Sequence, residues 1–437
     1  MVMAIRRLYC FMNDEPVGEL SRHNGKQSFR YDHRWLASPR GRALSVSLPL
    51  TDEIRSGDVV DAWFENLLPD NDTIRQAIVD RLGAASSKPF DLLTVLGRDC
   101  VGALTLQSNS EPSTSAAMAT QPLEESEIEQ LINDTRLHNI LGMRAGDPFR
   151  LSLAGAQEKT ALTWWQQRWQ KPLGRTPTTH IFKPPISPRR GDPLDLSSSV
   201  DNEWFCLRYL TALGLPAAEA EIARFGAQKV LIVKRFDRRI IGERIYRLPQ
   251  EDFCQALGKA SGSKYESHGG PDARAIAGVL RYALDPEKDL EIFFKTQFVF
   301  WLLAAIDGHA KNFSLHHLPQ GYSLTPLYDV MSTYPYFGQG DIQPQKIQMA
   351  MSVRGKSGKH YRWQSILPRH WMTHARHQGI SQQLAHQWID EVIIRTPESL
   401  SIALRDAPDE FDRQTGEAIC RGTLDTLSKY QRLNGAG

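Results

Sequence analysis

Acidic residues are missing from one long stretch of this 437-residue chain: between Ile342 and Ile389 there is no Asp and no Glu. Lys346, Arg354, Lys356, Lys359, Arg362, Arg369 and Arg376 fall in the same interval, although the formal net charge of the whole chain is only +2. Such a one-sign block either meets phosphates on one surface or is a solvated face paired with carboxylates from elsewhere. Cysteine is sparse and scattered: Cys10, Cys100, Cys206, Cys254 and Cys420 form no CxxC pair and no Cys/His ligand spacing. That argues against a zinc site and for a reducing compartment. No apolar run exceeds the nine residues Phe298–Ile306, far short of the roughly 18 that cross a bilayer. The start, MVMAIRRLYCFMND, has no long apolar stretch or small-residue cleavage site, so a soluble cytoplasmic protein without membrane contact is expected.

What is present has a clear order. Short strands are expected in RRLYCFMND, PVGELS, QSFRYD and the alternating ALSVSLPL, followed by helices in VVDAWFENLLPDNDTIRQAIVDRLG and PFDLLTVLG and a strand in GALTLQ. Residues 108–122 are rich in Ser, Thr and Pro and read as a mobile linker. Strands recur in FRLSLAG, EKTALTWW, THIFKPP and KVLIVKRFD, around the helix DNEWFCLRYLTALGL, which Asp201 or Asn202 is expected to cap. Beyond residue 250 the pattern is mostly helical. The expected division is a strand-rich region at 1–107, the linker at 108–122, a nucleotide-binding part at 123–236 and a helical lobe at 237–437. Two lobes of different composition create a cleft, a common ligand site.

The stretch AAIDGHAKNFSL (304–315) ends the nine-residue apolar run with Asp307, His309, Lys311 and Asn312. Asp307, then Asn312 five residues on, then Asp329 in YSLTPLYDVMS is the spacing of protein-kinase catalytic loops. The first carboxylate accepts a hydrogen bond from the hydroxyl being phosphorylated, and the amide oxygen and second carboxylate hold Mg²⁺ against a triphosphate. Gly308 allows the following backbone N–H groups to approach phosphate. Lys183, on a strand, is placed to reach phosphates, with Glu203 as the helix carboxylate that fixes it. LAGAQEKT (153–160) offers small residues beside Gln157, Glu158 and Lys159 for a phosphate loop. Each piece has a plainer reading: Asp307 as a turn residue, Asp329 as a cap, Lys183 snorkelling from an edge strand, Ser152 as an ordinary strand serine. His316 and His317 are expected at the surface. The order loop, Lys, Glu, hinge, Asp/Asn, Asp favours the joint reading.

WFENLLPD (63–70), FDLLTVLGRDCVGALTL (90–106), FRLSLAGAQEKTAL (149–162), TPTTHIFKPP (176–185), SVDNEWFC (199–206), KRFDRR (234–239), RLPQEDFCQALG (247–258), KYESHGGP (264–271), DGHAKNFSL (307–315) and TPLYDVMS (325–332) together resemble the HipA family of serine/threonine-kinase toxins over nearly the whole chain. The resemblance implies an α+β, two-lobed fold related to protein and phosphoinositide kinases, using ATP and Mg²⁺. By position it makes Asp307 the proton acceptor and Asn312 and Asp329 the metal ligands. It places Ala154, Gly155, Ala156, Gln157, Glu158 and Lys159 in the phosphate loop, Lys183 on ATP, and Lys234, Arg235 and Phe236 at the adenine hinge. His309, Ala310, Lys311 and Asn312, with Tyr328, Asp329, Val330 and Met331, complete the nucleotide site. Ser152 matches the autophosphorylated serine, whose modification switches the family's kinase off.

The family also implies a HipB-like helix-turn-helix antitoxin, operator DNA bound through the toxin–antitoxin complex, and glutamate–tRNA ligase as protein substrate. DNA contact falls at Arg376, His377, Gln378 and Gly379. Two departures stand out: Gly379 lies where a second basic residue is expected, and Lys234 where an acidic one is. A small-molecule kinase and a DNA-binding pseudokinase subunit are the competing readings.

Overall fold

Two-residue turns set the first sheet. Asn13–Asp14 and Asn24–Gly25 all have positive φ, from 46° to 80°, the conformation that matches the twist of antiparallel strands. They join Arg6–Met12, Glu15–His23 and Lys26–Tyr31, which with Arg55–Ser56 and Leu104–Gln107 make a five-stranded antiparallel sheet. Helices Asp58–Glu65, Asp72–Leu82 and Pro89–Leu96 close its core around Phe29, Trp63, Phe64 and Leu93. The computed structural model describes residues 6–111, 118–138, 157–186, 194–339 and 342–435.

The expected strand in ALSVSLPL does not form. Its backbone groups are taken by side chains instead: Tyr31 Oη donates to the Leu48 carbonyl at 2.5 Å and accepts from the Leu44 N–H, while the Val46 N–H donates to Glu251. An alternating pattern therefore ended up as a side-chain-pinned connection, because local backbone groups found partners outside any ladder.

A six-stranded sheet follows, in the order Ala220–Phe225, Gln228–Lys234, His180–Lys183, Thr160–Trp165, Arg168–Pro172, Thr120–Pro122. Its last strand corrects the linker assignment. Residues 120–122 pair with 170–172, and the Leu123 N–H donates to the Trp169 carbonyl; the polar composition there is that of an edge strand. Helix Glu125–His138 covers one face through Ile128, Leu131 and Ile132. Helix Ser199–Leu213 begins two residues earlier than its expected caps. Asp201 instead takes the Lys229 ammonium at 2.6 Å, and Asn202 exchanges bonds with the Ser332 backbone.

The remainder is the helix-rich lobe expected after residue 250. Helix Pro286–Leu302 runs through its core, burying Phe293, Phe294, Phe298, Phe300 and Trp301; each such ring contributes about 1.5–3 kcal/mol. Helices Pro368–His377, Gln382–Arg405 and Arg413–Gly435 pack around it. Ala304, at φ 47°, terminates the central helix with a left-handed residue, and the Ala305 N–H closes back on the Phe300 carbonyl at 2.8 Å. This places Asp307 at the cleft edge. The result is an α+β molecule of two lobes. Among the described residues no helix is long and apolar enough to cross a membrane.

Candidate active site

The cleft between the lobes, a cavity of about 340 Å³, is lined by residues that range from Asn66 to Met331. Its chemistry starts at Lys183, buried on strand His180–Lys183. The ammonium donates to Glu203 Oε1 and Oε2 at 2.8 and 3.0 Å and to Asp329 Oδ1 at 2.9 Å. Those three bonds use all of its protons. Burial opposes the charge on Lys183, but Asp329 and Glu203 outweigh it and push its pKa up. Burial likewise disfavours ionisation of Asp329, and Lys183 and Lys159 outweigh it, holding that carboxyl well below the usual range. Glu203, buried and beside a second carboxylate, shifts up. Lys159 is buried near Lys183, and desolvation first, then that neighbour, lower it to about 8.

Asp329 sits at φ 59°, a left-handed conformation that Asp tolerates better than most residues. Asn312 donates its amide N–H to the Asp307 carbonyl at 2.8 Å, and its Oδ1 accepts no hydrogen bond among the described residues. No three His, Cys, Asp or Glu side chains converge as a metal site among the described residues. Two hard oxygens, Asn312 Oδ1 and the ionised Asp329 carboxylate, nevertheless suit Mg²⁺, which keeps waters and takes phosphate oxygens. The donor set fits a metal that arrives with a nucleotide.

Asp307 lines the same cavity and accepts a hydrogen bond from Tyr265 Oη at 2.7 Å. Burial, then the Asp307 charge, raises the Tyr265 hydroxyl above its ordinary value, so Tyr265 remains a donor. His309 is buried, its pKa lowered by desolvation, and packs edge-on against Tyr265 at 5.0 Å. Gly308 has no room for a side chain: a Cβ there would lie 2.5 Å from the Phe300 ring. Close approach, not turn geometry, requires the glycine.

Lys311 proves to be a bolt. Its buried ammonium bonds Asn66 Oδ1 at 2.6 Å and Asp252 Oδ2 at 3.0 Å, with Asp70 at 3.7 Å. Lys264 takes the other Asp70 oxygen at 3.1 Å. The N-terminal region is thereby tied to the catalytic loop. Asn66, Asp70, Asp252, Lys264 and Tyr265 line the cleft or touch Asp307, and no role was read for them in the sequence. Asn66 and Asp70 lie in WFENLLPD, and Lys264 and Tyr265 in KYESHGGP, stretches whose only signal was the family resemblance.

At the hinge, the Lys234 and Arg235 N–H groups donate to the Glu219 and Thr179 carbonyls. Phe236, which lines the cleft, makes no backbone N–H hydrogen bond among the described residues. The Lys234 side chain points to Glu219 at 2.8 Å, while Arg235 is buried against Asp237 at 2.7 Å. Phe236, Tyr328 and Met331 supply apolar wall. Gln157 lines the cleft, whereas Glu158 does not. Ala310 and Val330 are buried in the core and do not reach the cavity by side chain. Ser152, Ala154, Gly155 and Ala156 lie outside the described residues.

The residues expected to contact DNA lie at and just past the end of helix Pro368–His377. Arg376 is exposed and His377 partly so, but Gln378 is fully buried, bonded to Gln297 at 3.1 Å, which leaves it no side-chain contact with DNA. Gly379 is exposed at φ 74°, and the Arg281 guanidinium occupies the space of its missing side chain. His317 corrects the surface reading: it is buried and bonds Glu251 at 2.8 Å, and His316 packs against Phe236 at 5.5 Å.

Comparison with known proteins gives a consistent picture. The model of the HipA-like C-terminal domain matches residues 151–400, and that of the HipA N-terminal domain matches residues 8–107. A protein named as kinase Y4mE, from Sinorhizobium fredii, is 32% identical over 416 residues, covering 94% of each chain. The serine/threonine-protein kinase toxin HipA of Shewanella oneidensis is 30% identical over 342 residues, 74% of this chain and 75% of that one. The solved complex of HipA, HipB and operator DNA from Shewanella oneidensis contains a chain that superposes with TM-score 0.79 at 25% identity, covering 98% of this chain and 97% of that one.

Proposed function

The chain belongs to the HipA family, and on that premise we propose that it is a toxin kinase that transfers the ATP γ-phosphate to a serine of a protein substrate. The observation that carries the reading is the Lys183 ammonium held between Glu203 and Asp329, with Asn312 and Asp307 on the same cavity wall.

In this proposal Asp307 accepts the hydroxyl proton of the acceptor serine, and Tyr265 orients that carboxylate. When nucleotide enters, Lys183 exchanges its Asp329 bond for phosphate oxygen while keeping both bonds to Glu203. Asp329, once free of Lys183, and Asn312 are the residues that would hold Mg²⁺, which would supply positive charge against the phosphates. Phe236 N–H meets the adenine. By family likeness residues 154–159 are the phosphate loop, and Lys159, buried in the cleft, is a second cation.

By family likeness the acceptor is glutamate–tRNA ligase, Ser152 is the site of autophosphorylation, and a HipB-like antitoxin carries the protein to operator DNA, where Arg376 faces phosphate. A dianion at Ser152 beside the phosphate loop would repel ATP and end the activity.

The test is phosphate incorporation. Purified protein with Mg²⁺ and labelled ATP should label Ser152 and, in a mixture, glutamate–tRNA ligase. Asp307→Asn should abolish both while leaving the circular dichroism spectrum unchanged. Labelling of Asp307→Asn at the wild-type rate removes the base assignment. Rapid turnover of an amino alcohol, with no protein labelled, replaces the acceptor class by a small molecule.

A further inference from the structure

A second cavity, about 370 Å³, shares no lining residue with the nucleotide cleft. The turn at Asn13–Asp14, the loop Leu173–Pro177 and the hairpin strand Arg244–Arg247 form most of it, with Arg98, Leu106, Gln107, Met118 and Ala119 completing the wall. Arg98, Arg175, Arg244 and Arg247 all line it, against one carboxylate, Asp14. Asp14 spans two of them, taking Arg175 on Oδ1 at 3.2 Å and Arg244 on Oδ2 at 3.1 Å. Arg247 is buried and turned to Asp99 at 2.9 Å.

Among the described residues, positive charge remains uncompensated. Arg98 is exposed and has no ion pair among the described residues. Nη1 of Arg175 is buried without a hydrogen-bond partner among the described residues, a costly state for a guanidinium N–H. Behind the wall, Arg235 and Arg238 pair with both Asp99 and Asp237, and Arg247 with Asp99 alone. Six arginines thus face three aspartates. The crowding shows in Arg238, which burial and then Arg235 lower to about 10. Residues 112–117, PSTSAA, which lead into the cavity-lining Met118, contain no carboxylate.

Guanidinium forks match phosphate oxygens in pairs, and Leu106, Leu173, Ile245 and the Tyr246 ring supply apolar wall. The volume falls in the range of small-molecule sites. We propose that this cavity is a second ligand site, which takes a small phosphorylated molecule through Arg98, Arg175 and Arg244. The site stands next to the hinge: loop residues Arg98 and Val101 line the second cavity and the cleft respectively.

The probe is inorganic pyrophosphate, titrated by calorimetry into the full chain. Two saturable components are expected, one in the cleft and one here. The double variant Arg98→Gln, Arg244→Gln changes only exposed side chains. It should keep the wild-type melting temperature and ADP affinity while the second component weakens about tenfold or more, the effect of one lost charge-assisted contact. A single component that Lys183→Gln removes and the double variant leaves unchanged overturns the proposal, as does the absence of saturable binding at millimolar pyrophosphate. Equal displacement of that component by citrate overturns the phosphate assignment.

Discussion

Replacing Glu203 by Gln isolates what the Lys183 trio does. Glu203 accepts two of the three Lys183 protons, at 2.8 and 3.0 Å, and Asp329 the third. A Gln keeps one acceptor oxygen and presents an N–H₂ in place of the other, so one charge-assisted bond is lost, worth about 1.5–3 kcal/mol. Lys183 then leans on Asp329, the carboxylate proposed to release it for the metal. The expected loss in phosphoryl transfer at saturating ATP is about 10- to 150-fold. Stability should move much less. Burial first, and then the nearby Asp329 carboxylate, shift Glu203 up; removing its negative charge relieves both and leaves the Lys183–Asp329 pair, and the melting curve should shift by no more than about 1 kcal/mol. Initial rates and thermal unfolding, measured side by side, decide it. If Glu203→Gln keeps the wild-type rate, or loses more than about 3 kcal/mol of stability with rate falling only as folded protein is lost, Glu203 is a structural anchor and the reasoning is refuted.

Lys159 carries a pH prediction. With its pKa lowered to about 8, it is charged below that pH and neutral above it, so ATP affinity should be flat up to about pH 8 and fall by up to about tenfold per unit beyond. Lys159→Gln should lose the dependence, and a flat wild-type profile through about pH 9.5 refutes it. Lys311→Met strands buried Asp252 beside Asp70 and should cost about 3–5 kcal/mol in urea unfolding; a change under about 1 kcal/mol would mean that the bolt bears no load. Gly308→Ala drives a Cβ to 2.5 Å from a packed Phe300 ring and should cost about 1–3 kcal/mol, read as a lower melting temperature with weaker labelling.

Much of the site was legible because kinase chemistry leaves local traces. Asp307, Asn312 and Asp329 lie within one short stretch, at spacings set by a loop and a strand edge, and Lys183 and Glu203 sit on adjacent elements whose apolar pattern declares them. The strands Arg6–Met12, Glu15–His23 and Lys26–Tyr31 were legible for the same reason: alternation and Asn-Gly turns are properties of consecutive residues. Gln378 and His317 were misplaced because a polar side chain at a helix end or strand looks exposed until a buried partner, Gln297 or Glu251, is brought to it.

The sequence by itself determined the periodicities, the order of the lobes and which polar groups are candidates for phosphate transfer. Only the tertiary structure decided how distant charges are paired: Lys311 with Asn66, 245 residues away, Arg175 and Arg244 across Asp14, and Arg247 on Asp99. Backbone preference acts over a few residues and is written locally. Compensation of a buried charge depends on which surfaces meet, and the packing of the whole chain sets that.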